Sequence, residues 1–179
     1  MSTLSVTVTP LELPLVHPFR IARGEELVSD TAIVRVRSDG RTGIGEATPI
    51  ERYGESVRSV VRFFETYRPT SDDPYRLETL LSDDIPPSAR AGFDIALHDL
   101  IGKDLGKPLY ELFGLDPQST PVTSFTIGIA TPEETLTKVA ETDGHMVLKV
   151  KVGAGTIDEQ VEIVRLIRER FSGTLRLDA

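Results

Sequence analysis

Residues 122–178 read VTSFTIGIATPEETLTKVAETDGHMVLKVKVGAGTIDEQVEIVRLIRERFSGTLRLD, and this stretch decides the fold. Three runs within it, 122–128, 146–152 and 174–178, are short, apolar and rich in β-branched residues, as strands are. Two helices lie between them, each with a start signal. Thr131-Pro132-Glu133-Glu134 and Thr156-Ile157-Asp158-Glu159 both place Glu three positions after a hydroxyl residue, the pattern of a capping box. The first also has Pro at the opening helical position. The second helix carries Ile157, Val161, Val164 and Phe171 on the stripe expected to face inward. The order βαβαβ means parallel strands joined by right-handed crossovers. Helices on one face of three such strands leave the other face bare. The unit is therefore expected to open a larger α/β domain, either truncated at Ala179 or completed by another chain.

Upstream, the pattern is different. Leu4, Val6 and Val8 alternate with Ser5, Thr7 and Thr9, the period of a half-buried strand. A Pro-interrupted loop is expected from Pro14 to Gly24. Residues 31–37 and 41–47 read as two further strands around the turn Ser38-Asp39-Gly40, with Gly43 and Gly45 marking a bulge or a close backbone approach. Helices are expected over 55–67, 74–81 and 88–105. The last carries Ala89, Phe93, Ala96, Leu97 and Leu100 on one face and stops at Gly106 and Pro108. Residues 1–115 thus read as an α+β unit and 116–179 as the start of the α/β unit.

Composition narrows the function classes. The 179 residues hold 20 Lys+Arg against 28 Asp+Glu, a formal charge of −8, which disfavours a nucleic-acid binder. There is no cysteine, so disulfides, thiolate nucleophiles and Cys-based zinc sites are excluded. His17, His98 and His145 form no metal-binding pair by spacing. No apolar run reaches the length of a membrane span, and residues 1–10 lack a signal-like region, so cytoplasm is the expected compartment.

Chemistry concentrates on two strands. Lys149 and Lys151 are two apart and project to one side, with Leu148, Val150 and Val152 on the other. On an antiparallel edge such a pair is a solvated face. A parallel strand between crossovers is normally covered on both faces, and lysines there need a polar cavity or anions. The C-terminal mouth of a closed parallel barrel supplies one. On the next strand Arg176 and Asp178 share a side, with Asp178 at the C-terminal end; Ser124 and Thr126 line the first strand by the same logic. A lone Asp at a strand end is usually a cap or turn residue, so the functional reading rests on the strands together. A carboxylate at such a mouth suits Mg²⁺. A lysine beside a second cation has its charged form disfavoured, so Lys151, or the pair together, can serve as a general base. His98, His145, the Gly153-Ala154-Gly155 turn and the Arg-rich face of 165–170 read as packing, turn and solvated surface.

These residues carry a resemblance. GIGEATP (43–49), YGES (53–56), SARAGFDIALHDLIGKDLGKPLYELFG (88–114), SFTIG (124–128), LKVKVG (148–153) and LRLDA (175–179), in this order and spacing, resemble the N-terminal half of the enolase superfamily. The likeness is to the muconate-lactonizing subgroup and, within it, to dipeptide epimerases. It implies an α+β capping domain followed by the first strands and helices of a TIM-like, modified (β/α)7β barrel. It also implies Mg²⁺-dependent removal of the α-proton of a carboxylate substrate, as in a racemase or epimerase. By the same resemblance Lys151 is the base, Lys149 sits near the substrate carboxylate, Asp178 is the first metal ligand, and Thr126 borders the substrate. In the cap loop, Ala-Glu epimerases place an arginine at the position aligned with Gly24; Arg23, one residue earlier, is the candidate here for binding the substrate. The resemblance further implies a small-molecule partner, a dipeptide or other carboxylate, and a homo-oligomer. The family's other two acidic ligands and its opposite-face lysine lie outside this sequence, so the chain alone is expected to be inactive. An o-succinylbenzoate synthase, a muconate-type cycloisomerase and a non-catalytic fragment stay open as alternatives.

Overall fold

Alternating side chains build the first sheet, and a computed structural model describes it together with the rest of residues 3–22 and 24–179. Strands β1 (Ser5–Ile21), β2 (Gly24–Ser38) and β3 (Arg41–Ala47) lie in the order β1-β2-β3. The β2–β3 pairing is antiparallel, from Ala32 opposite Ala47 to Ser38 opposite Arg41. Asp39 and Gly40 take positive φ angles of 46° and 76° to close the turn between them, as a two-residue hairpin loop requires.

The first correction concerns residues 14–21, read above as a loop. They are the continuation of β1. Pro10, Pro14 and Pro18 are four residues apart, so in a regular strand all three missing N–H groups fall on the same edge. The other edge keeps its donors for β2, and among the described residues β1 has no second neighbour in its sheet.

The chain divides into two compact units, Met1–Leu13 with Ser29–Ser119 and Pro14–Val28 with Thr120–Ala179. In the first, α1 (Val57–Thr66) and α3 (Pro87–Leu105), with short α2 (Leu77–Leu80) and α4 (Leu109–Leu112), accompany the sheet. Val34, Val36, Val60, Phe64, Leu80, Phe93, Leu97 and Leu100 form its core. A Cβ on Gly45 would lie 2.1 Å from the Gly92 carbonyl oxygen, and one on Gly43 2.0 Å from that of Ala96. The glycines of β3 therefore let the strand touch the backbone of α3, the close approach anticipated from sequence. The outer edge of β3 is capped by α3: Asp99 accepts the Ile44 N–H at 2.7 Å, and Lys103 donates to the Thr42 carbonyl at 2.9 Å.

In the second unit β4 (Ser124–Ile127), α5 (Pro132–Ala140), β5 (Val147–Lys151), α6 (Ile157–Arg170) and β6 (Thr174–Asp178) follow in βαβαβ order. The strands are parallel in the order β4-β5-β6. Both capping boxes form, Thr131 with Glu134 and Thr156 with Glu159. Ile127, Leu148 and Val150 pack against Val139, Ile163, Ile167 and Phe171 from the helices. The second correction falls on α6. Of the stripe read above Phe171 does pack on this core, but Ile157 and Val161 are 77% and 61% exposed, and Ile163 and Ile167 pack there instead. Apolar residues of α6 fall on more than one face, and periodicity alone picked the inward ones only in part.

Candidate active site

Register brings the charged side chains together. Thr126 pairs with Lys149, Lys149 with Arg176, and Lys151 with Asp178. Partners in a parallel ladder share a face, so all five project from the side of the sheet opposite α5 and α6. Lys149 Nζ lies 2.5 Å and Lys151 Nζ 2.9 Å from the same oxygen of Asp178, Oδ2. Two ammonium groups thus converge on one carboxylate at the C-terminal ends of β5 and β6. The hydrogen bond from Lys149, and then that from Lys151, lowers the Asp178 pKa from 3.8 to about 2. The lysine side chains are 40% and 24% exposed, so the cluster borders solvent.

Asp178 is a hard oxygen donor, the type Mg²⁺ prefers. Among the described residues no group of three or more His, Cys, Asp or Glu side chains is placed to hold a metal. The donor fits in kind, and the described residues contribute it singly.

Thr126 is partly buried on the same face, next to Lys149 in register. Arg23, the cap-loop candidate, lies outside the described residues. Its neighbour Ala22 lies by the turn that follows β5: a Cβ on Gly153 would lie 3.7 Å from Ala22 and 3.8 Å from Ala179, the residue after Asp178. Sequence reasoning did not connect Ala22 with the barrel strands, and no local pattern around it could have done so.

The residues read as structural behave so. His98 Nδ1 lies 2.8 Å from Asp94 Oδ1, and its ring packs on Phe113. His145 packs its ring on Phe125. Gly153 and Gly155 take φ angles of 103° and 75° in a tight turn whose Gly153 N–H bonds to Gln160. Arg165 pairs with Glu162 and Glu169 on the surface of α6.

Comparison with known proteins places this arrangement. Residues 74–114 match the N-terminal domain of the mandelate racemase / muconate lactonizing enzyme family. Over 93% of its length the chain is 39% identical to an L-Ala-D/L-Glu epimerase of Bacteroides thetaiotaomicron, of which it covers 45%. The chain is similar along its length to about half of proteins of the enolase superfamily. A dipeptide epimerase from Enterococcus faecalis, complexed with Mg and L-Leu-L-Tyr, superposes on the whole chain with a TM-score of 0.84 at 33% identity, and 54% of it is covered. One from Methylococcus capsulatus, complexed with Mg and L-Arg-D-Lys, gives 0.83 over 99% of the chain at 33% identity, again with 54% covered. The chain spans about half the length of the curated relatives it matches. The enolase-superfamily fold accounts for an α+β unit that precedes parallel strands with charged C-terminal ends.

Proposed function

We propose that the protein is a Mg²⁺-dependent epimerase that moves the α-proton of a carboxylate substrate, a dipeptide being the substrate class its likeness favours. The observation that carries this is the convergence of Lys149 and Lys151 on Asp178 at the strand ends, in a chain similar to dipeptide epimerases along its whole length.

In this reading Lys151, as the free amine, removes the α-proton on one face of the substrate. Lys149 lies beside it and meets the substrate carboxylate. Thr126 borders the substrate, and Arg23 serves as a substrate-binding residue of the cap loop. Asp178 is the ligand that this chain offers to Mg²⁺, which when bound supplies positive charge opposite the developing enediolate. Return of the proton on the opposite face calls for a second acid outside the described residues. The same reading makes the protein a cytoplasmic homo-oligomer. Among the described residues no helix is long and apolar enough to cross a membrane.

The test is to incubate the complete protein, not this chain alone, with L,L-dipeptides and Mg²⁺ in deuterated water. Deuterium at the α-carbon with inverted configuration is the expected result, and Lys151→Met is expected to reduce that exchange by at least about 100-fold. Turnover of a cyclohexadiene carboxylate without exchange in any dipeptide would assign a synthase instead.

A further inference from the structure

We infer that Arg20 is a positioning residue: it seats the tip of the β1–β2 hairpin, residues 14–28, along one charged edge of α5. Glu134, Lys138 and Glu141 stand at i, i+4 and i+7 and so share one stripe of that helix and its cap. The tip meets them in reverse order. Arg20 Nη1 lies 3.2 Å from Glu134 Oε2, Lys138 Nζ donates to the Pro18 carbonyl at 3.5 Å, and His17 Nε2 lies 2.5 Å from Glu141 Oε2. Arg20 is the hub. Its Nε also bonds Glu25 on the returning strand at 2.7 Å, and its carbonyl accepts the Ile129 N–H at 2.9 Å. Gly128 leaves room for that backbone contact: a Cβ there would lie 3.2 Å from the Arg20 oxygen and 3.3 Å from its nitrogen, a tight fit.

The order of charges matters more than any one pair. Negative, positive and negative groups on α5 face a guanidinium, a carbonyl and an imidazole on the tip, so a slip along the helix sets Arg20 against Lys138. The seat brings Ala22 beside Gly153, in the turn that follows Lys151 at the C-terminal end of β5. Arg20, Glu25 and Glu134 are 36%, 42% and 46% exposed, so salt screens their attraction. The tip is therefore expected to loosen as ionic strength rises. An effect on substrate rests on the proposed function; the seat itself does not.

Amide hydrogen exchange of residues 16–22 and 24–28, followed by mass spectrometry, tests this. At low salt Arg20→Met and Gly128→Ala are expected to speed exchange in the tip about fivefold, and Arg20→Lys by less. Arg165→Met, on the far surface of α6, is expected to change nothing there. In 1 M salt the unmodified protein is expected to approach Arg20→Met. With dipeptide substrates, Arg20→Met is expected to raise KM several-fold and leave kcat within about twofold, and Arg20→Lys to restore most of the loss. Tip exchange in Arg20→Met equal to that of the unmodified protein at low salt, or insensitive to salt in the unmodified protein, overturns the inference. A tip that responds in a complete protein that turns over no dipeptide leaves the seat standing and sinks the epimerase reading.

Discussion

At the scale of single residues, Asp178 has the most to account for. It accepts from two lysines through one oxygen, and its pKa falls to about 2. A carboxylate held below its ordinary range contributes stability that is fully present above the unfolded value of 3.8 and is lost as the pH falls through about 2. We expect the Asp178 carboxyl carbon to titrate near pH 2 in an NMR experiment on the metal-free protein. In Lys149→Met it should move up toward 3.8, and in the double variant with Lys151→Met further still. An unchanged midpoint in the double variant would mean that the lysines do not hold the carboxylate. The pairing was foreshadowed in sequence, because Lys149, Lys151, Arg176 and Asp178 sit at even spacings on two strands. That both lysines reach the same oxygen depends on register, which no local pattern states.

At the scale of elements, the contact between β3 and α3 is made by missing atoms. A methyl group at Gly45 meets a backbone oxygen at 2.1 Å, and backbone cannot be relieved by a rotamer change. Gly45→Ala is expected to cost about 3 kcal/mol, read as a lower urea midpoint at unchanged slope. The edge of the same strand makes a second prediction. Asp99 occupies the Ile44 N–H and orients Lys103, 2.6 Å away, toward the Thr42 carbonyl. Asp99→Ala exposes that edge. It should cost about 1 kcal/mol and raise self-association, measured by light scattering against concentration. The elements that sequence predicted well, α3 and the two capped helices α5 and α6, carry their start and stop signals within a few residues. The two it misread, β1 beyond Pro14 and the inward face of α6, depend on neighbours. Prolines are admitted in β1 because one of its edges pairs with nothing else in the sheet, and the face of α6 is chosen by what the sheet offers it.

At the scale of the whole molecule, the described residues form two cores that share no side chain. One is built on Val34, Phe93 and Leu97, the other on Leu148, Val150 and Ile167. Each is expected to govern the exchange protection of its own unit. Leu148→Ala removes a fully buried side chain from the second core and should lower protection across β4, β5 and β6 by about 3 kcal/mol. Amides of α3 and β3 should keep theirs. Loss of protection at both sites alike would show a single cooperative core.

The sequence by itself determined the kinds of element, their order, the helix caps and the side of each strand on which charge falls. Those features follow from the periods of 2 and 3.6 residues and from hydrogen bonds within a turn or two of the chain. Only the tertiary structure decided that residues 14–28 belong with the second unit, that glycines of β3 touch the backbone of α3, and that Arg20 meets Glu134. Those contacts join residues dozens to more than a hundred positions apart, where the energy of meeting depends on what else already fills the space.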